Sequence, residues 1–276
     1  MITLVCCAKL KMKSELNLRI EQRRDRSIMA HCFATPPIKV LALPHTLGEG
    51  LQLMQMSASP GLLDSDEQHI ELTLESNTEL HLFTQAYQRV FAMHNHAQQN
   101  TTLRLKPNSR LIYTPHPLVL HEGAHLKLNN TIHLENNVHL VWSEIIASGR
   151  KHRESFAFKQ MSSLTQIFHD NKLICRDNLQ WQPERQHMNS PVHMAEFSHQ
   201  ATLYFANTHA DFDAKSTLNT LYDFLNQTQT DDLYFGMSQA HRHLLVVRIL
   251  GQHGETLYEA VRSLAKCISQ SCFKRE

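Results

Sequence analysis

Ile70-Glu71-Leu72-Thr73-Leu74, then Glu75-Ser76-Asn77-Thr78, then Glu79-Leu80-His81-Leu82: apolar and polar residues alternate on both sides of a short polar break. Alternation with a period of two is the pattern of a strand with one buried face. Ser, Asn and Thr in the break favour a tight turn because their side chains bond the nearby backbone. The same alternation recurs at Leu16, Leu18 and Ile20, at Leu103 and Leu105, at Leu111 and Tyr113, and at Ile132 and Leu134. The breaks Lys106-Pro107-Asn108-Ser109 and Glu135-Asn136-Asn137 follow the first at intervals of roughly 30 residues, a spacing that points to stacked β-coils. A plain β-sandwich is the competing architecture. The expected class is therefore mainly β, with stacked or coiled strands (β-helix-like or sandwich) and a few C-terminal α-helices.

The helix signals lie late in the chain. Leu218, Leu221, Tyr222 and Leu225 fall on one helical face behind the capping residue Asp213, which predicts a helix over 214–226. Leu257, Val261, Leu264 and Ile268 predict another over 255–268, and the apolar run 244–250, closed by Gly251, predicts a buried strand between them. No linker is rich enough in Gly, Pro and Ser to mark a boundary. Residues 16–276 are thus expected to form one β-rich domain with a mixed α+β final third, behind an unassigned extension over 1–15.

Composition excludes several classes. The 27 Lys and Arg nearly balance 26 Asp and Glu, so no broad field draws nucleic acid or an anionic membrane. The basic run Arg23-Arg24-Asp25-Arg26 follows a strand pattern and reads as a solvated loop. No stretch approaches the roughly 20 apolar residues of a spanning helix. The six cysteines are scattered without a C-x-x-C pair, which fits a reducing cytoplasm. With eight glycines and no phosphate-binding loop, nucleotide chemistry is not expected of this chain, and neither a nucleophile elbow nor an H-E-x-x-H helix is present.

Twenty histidines are the compositional outlier, and neutral imidazole is a ligand for borderline metals such as nickel. Two H-x-H pairs, His94/His96 and His241/His243, would put both rings on one side of an extended segment. Neither has a third ligand beside it, so they are weak metal candidates and the ordinary reading is polar residues on strand faces. Trp142-Ser143-Glu144 through Gly149-Arg150, with Glu154 beyond, sets ionisable groups among apolar neighbours. Burying such charges costs several kcal/mol per ion unless partners compensate. Glu144, Arg150 and Glu154 are therefore expected to form either a buried structural network or a functional polar channel.

The chain resembles the UreD family of urease accessory proteins, called UreH in Helicobacter-type bacteria. The likeness is carried, in order, by Phe33-Ala34-Thr35-Pro36-Pro37, Ser59-Pro60-Gly61-Leu62-Leu63 with Asp66, Phe83-Thr84-Gln85-Ala86, Tyr113-Thr114-Pro115-His116-Pro117, Gly123-Ala124-His125, Trp142 to Arg150, and Val246-Val247-Arg248-Ile249-Leu250-Gly251. It departs at Ser65, where the family often has a glycine able to take positive φ, and at Phe83, where the family often has threonine. The resemblance implies a non-catalytic chaperone that works with a helical partner, UreF, a GTPase, UreG, and apo-urease. It further implies nickel(2+) in transit through an internal tunnel with no tightly bound cofactor, and it makes Asp66, Glu144, Arg150 and Glu154 the candidates for a nickel route or buried polar network. The rival readings are a β-rich module binding protein or carbohydrate, and a histidine-metal hydrolase. The low aromatic content, 7%, counts against a sugar platform.

Overall fold

The computed structural model describes residues 11–44, 50–149, 155–228 and 232–272. Its centre is a solenoid. One coil is formed by β1 (Lys13–Arg23), the outlying strands β2 (Arg26–Ala34) and β3 (Ile38–Ala42), and β4 (Leu51–Ser57). The next holds β5 (Glu67–Leu74), β6 (Glu79–Thr84) and β7 (Gln88–Val90), and the one after it β8 (Ala97–Leu105), β9 (Arg110–Thr114) and β10 (Leu118–Leu120). The fourth contains β11 (His125–Leu134) and β12 (His139–Ala147). The chain continues through β13 (Gln160–His169), β14 (Lys172–Trp181), β15 (His199–Asn207), α1 (Ala214–Thr228), β16 (Leu233–His241), β17 (Leu244–Gly251) and α2 (Gly254–Cys272).

Successive coils pair in parallel. Glu67 stands beside Gln98 and Gln98 beside Lys127, a step of roughly 30 residues per coil. One sheet runs β14-β13-β11-β8-β5-β1-β2 and the other β16-β17-β15-β12-β9-β6-β4-β3. Their middles are parallel, and their ends are antiparallel pairs such as β1 with β2 and β13 with β14. Stacked coils, rather than the plain sandwich, are the architecture that forms. The first strand begins at Lys13, inside the segment left unassigned from sequence, and Arg23-Arg24-Asp25-Arg26 is the turn between β1 and β2, with Arg24 and Asp25 left-handed.

The three polar breaks are the stacked corners of the solenoid. Asn77, Asn108 and Asn137 take φ of 62, 60 and 57°, a region that asparagine tolerates better than other branched or longer side chains. Asn108 Nδ2 donates to Asn77 Oδ1 at 3.0 Å, so one corner is tied to the next. Thr78 and Ser109 hydroxyls close their own turns on the carbonyls of Glu75 and Lys106, both at 2.6 Å.

Leucine and isoleucine fill the interior between the sheets: Leu18, Leu72, Leu103, Leu82 and Leu140 are fully enclosed. A second apolar layer lies outside the larger sheet, where Val141, Leu203 and Val247 meet Leu221 of α1 and Leu257, Val261 and Leu264 of α2. Strand β12 is thus covered on both faces, which is why its alternation is weak. Helix α1 starts where Asp213 caps it, its carboxylate accepting from Ser216 N at 3.0 Å.

Replacing Asn108 with Ala should lower stability by about 1–2 kcal/mol, because alanine resists the left-handed backbone and the corner bond is lost. Asn108→Gly should cost distinctly less. Urea unfolding with an unchanged slope checks this, and equal losses for the two variants would contradict it.

Candidate functional site

The inward positions of β11 read Leu126, Leu128, Asn130, Ile132, Leu134, so one amide interrupts the apolar alternation. The same level is polar in the neighbours. Register places Thr101 of β8 beside Asn130, Asn130 beside Thr165 of β13, and Thr165 beside Asp177 of β14. On the facing sheet Glu144 of β12 stands beside Thr202 of β15, and Thr202 beside Arg248 of β17. Two polar rows therefore oppose one another across the interior, with Ile132, Leu103 and Leu140 on one side and Leu126, Met161 and Ile146 on the other.

Bonds between the sheets close this seam. Asn130 Nδ2 donates to Glu144 Oε1 at 2.7 Å and Ser163 Oγ to Glu144 Oε2 at 2.8 Å. Further along, Tyr204 OH donates to Asp177 Oδ2 at 2.7 Å, and Arg248 donates to the same oxygen at 2.6 Å. Glu144 also borders a cavity of about 190 Å3 that extends to Gln55, Thr101, Tyr113 and Gly61. Burial pushes its pKa up to about 7; the bonds from Ser163 and Asn130 pull the other way, and Asp177 adds repulsion. Among the described residues no cation pairs with it. A carboxyl poised near neutrality, contacting a cavity large enough for several waters, can exchange a proton for a cation.

The cavity reaches the outside of the larger sheet through a gap. Tyr113 pairs with Trp142 and Leu118 with Ile146, and between them Pro115-His116-Pro117 leaves the strand path opposite Ser143 to Ile145. Helix α2 covers this gap: the rings of His116 and Tyr258 are 4.1 Å apart, and Tyr87 OH donates to Glu255 Oε2 at 3.0 Å. Burial pushes the His116 pKa down and the Tyr87 pKa up to about 12. Close packing at Gly61 completes the wall, since a Cβ there would meet the Arg89 carbonyl and the Phe91 ring.

The residues expected from sequence are dispersed. Glu144 lies in the seam. Asp66 does not line the cavity; its Oδ2 accepts from Leu63 N at 2.8 Å and holds a turn in which Ser65 adopts φ 69°, the left-handed backbone for which the family often supplies glycine. Arg150 and Glu154 lie outside the described residues. His94 and His96 lie at a bend; His241 ends β16 and His243 is the second residue of the hairpin turn, with the two rings 5.7 Å apart. His96 packs on His125 instead, and His243 Nδ1 lies 3.0 Å from the Asn207 carbonyl. Among the described residues no three His, Cys, Asp or Glu side chains gather to hold a metal, and no helix is long and apolar enough to cross a membrane. Asn130, Ser163, Thr165, Thr202, Asp177 and Tyr204 were missed. The signal for Asn130, Ser163 and Thr165 was a polar residue at an inward position of an alternating strand; Asp177 and Tyr204 carried no such signal.

Fold and site together define a β-solenoid whose apolar interior is crossed by a polar, carboxylate-bearing seam. The model of the UreD urease accessory protein family matches residues 12–276, and the chain belongs to that family. It is 36% identical over 257 residues to the urease accessory protein UreD of Flavobacterium johnsoniae, covering 92% of each chain. It is also 36% identical over 273 residues to UreD of Haemophilus influenzae strain 86-028NP, covering 93% of this chain and 100% of that protein. UreD of Actinobacillus pleuropneumoniae serotype 7 is 36% identical over 247 residues, 86% of this chain and 91% of that protein.

The raised pKa has a definite sign. Between 4.5 and about 7 the unfolded chain has released the Glu144 proton while the folded chain keeps it, so stability falls as pH rises through that window. Glu144→Gln removes the penalty. The variant should be more stable than the parent at about pH 8, by up to roughly 3 kcal/mol, with the difference vanishing below about pH 4. A variant that melts lower at the higher pH would mean that Glu144 is ionised and paired.

Proposed function

We propose that this chain promotes urease maturation without itself turning over a substrate, conducting nickel(2+) along the polar seam towards apo-urease. It does so in a cytoplasmic complex with a UreF-like helical protein and a UreG-like GTPase. The observation that carries this reading is Glu144: a carboxyl inside an apolar solenoid, bonded among the described residues by an amide and a hydroxyl and bordering a cavity. A purely structural interior would favour leucine at this level, because an unpaired buried carboxylate costs several kcal/mol.

Nickel accepts oxygen and nitrogen donors, and a single carboxylate with neutral oxygens around it holds such an ion loosely. Loose holding suits cargo that must leave again. Proton exchange at Glu144 supplies the means: the empty seam keeps a neutral carboxyl, and an arriving cation displaces the proton. Energy from GTP belongs to the partner, since this chain has no phosphate loop. Exposed Tyr222, Tyr234, Phe33 and Leu41 are apolar surface of the kind that partner proteins cover.

Glu144→Gln keeps the shape of the side chain and most of its bonding while removing the negative charge. The variant should co-purify with the helical partner, the GTPase and apo-urease, yet yield urease with a small fraction of the normal nickel per active site. Normal nickel content in an intact complex would contradict the route.

A further inference from the structure

Four strands end the two sheets: β2 and β14 in one, β16 and β3 in the other. An open strand edge invites pairing with another chain, and charge, proline, shortness or a bulge ordinarily prevents it. Three of these edges carry such devices. β2 starts at Arg26 and its register against β1 shifts between Arg19 and Ile20, β3 is five residues long and contains Lys39, and β14 contains Lys172, Arg176 and Asp177. β16 differs. Its nine residues, Leu233 to His241, include no Asp, Glu, Lys, Arg or Pro, and its one irregularity lies at the far end, between Gln239 and His241. Tyr234, Gly236, Ser238, Gln239 and Ala240 are exposed, and among the described residues no strand pairs with the outer side of β16. Gly236 adds a second sign. Glycine weakens a strand and is kept there where the backbone bends or another backbone comes close. Gly236 does not take a positive φ, and a Cβ on it would meet nothing within 4 Å, so nothing described inside the chain calls for glycine.

We propose that β16 pairs antiparallel with β16 of a second copy of this chain, about a two-fold axis at Met237. Met237 is the midpoint of the strand, so this register uses all nine residues. Such an axis keeps each face of the strand on its own side of the joined sheet. Leu233, Phe235 and Met237 belong to the side packed under the helices, and Tyr234, Gly236, Ser238 and Ala240 alternate with them on the other. On that second side Tyr234 comes opposite Ala240 of the second copy, and Gly236 opposite Ser238, so a large side chain meets a small one. No charge is set against its like across the axis, a conflict that would destabilise the pairing. The surroundings fit the same occupant. Tyr234, 64% exposed, already stacks on Phe197, and on the helix side the exposed Tyr222 of α1 meets the ring of Phe235. Lys215 and Asp223 are the only charged residues in the fifteen of α1, which leaves that flank nearly free of charge as well.

Sedimentation velocity of the full chain over a series of concentrations tests this. The parent should pass from monomer to dimer, and Gly236→Lys, which has open space for its side chain, should weaken the association by about tenfold because it puts charge on the joined edge. A parent that stays monomeric throughout, or a dimer that Gly236→Lys leaves unchanged, would overturn the proposal. The register is read by oxidative cross-linking: a mixture of Gly236→Cys and Ser238→Cys chains should form disulfide-linked dimers in higher yield than either variant alone, and equal yields in all three samples would overturn the axis at Met237. Should Gly236→Lys fail to fold, the unmodified chain carries the test. Its β16 amides should exchange hydrogen more slowly as the chain is concentrated, and exchange that does not change with concentration would overturn the pairing. Protection of β16 that appears only when the helical accessory protein is added would assign the edge to that protein and overturn the pairing of two copies.

Discussion

Thr101, Asn130 and Thr165 stand side by side because their strands are parallel and held in one register by stacked corners. A slip of one residue in any coil would turn its inward side chains outward, breaking both the apolar layers and the polar row between them. Register is therefore the constraint on which the site depends. The asparagine corners enforce it locally, and the leucines at each end of the strands enforce it globally, since each row of side chains fits only against the same row in the next coil.

The seam works against that packing. A row of threonine, asparagine and glutamate inside a leucine interior gives up burial energy, and the charged form of Glu144 is disfavoured by the same apolar walls that stabilise the fold. Tyr204 shows the effect again, its hydroxyl proton held more firmly by burial and by the two carboxylates beside it. The fold tolerates this because the apolar clusters on both sides are extensive and because hydrogen bonds across the sheets satisfy the polar groups. A cavity of mixed lining beside a carboxyl that is partly protonated at neutral pH is what results.

Much of the architecture was legible in the sequence. The alternating runs from Leu16 to Leu134 all lie in strands, the corner spacing implied coils, and the helices over 214–226 and 255–268 form with the Asp213 cap in place. The seam was only partly legible. Glu144 stood out as a charge among apolar residues, but Asp177 is on an edge strand whose polar pattern looks solvated, and its partners come from strands distant in the chain. Asp66 is buried as a polar residue, but it bonds the backbone of its own turn rather than joining the seam, a local role that sequence does not distinguish. The histidine pairs were weak metal candidates from sequence, and their local backbone, a bend at His94 and a hairpin turn at His243, was not legible there.

Anomalous scattering at the nickel absorption edge, from crystals of this chain soaked in a nickel salt at neutral pH, addresses the central claim most directly. The account predicts an anomalous peak in the cavity beside Glu144 that disappears when the crystals are acidified and the carboxyl is protonated. Nickel bound only at surface histidines, with the seam empty of anomalous density under both conditions, would contradict it.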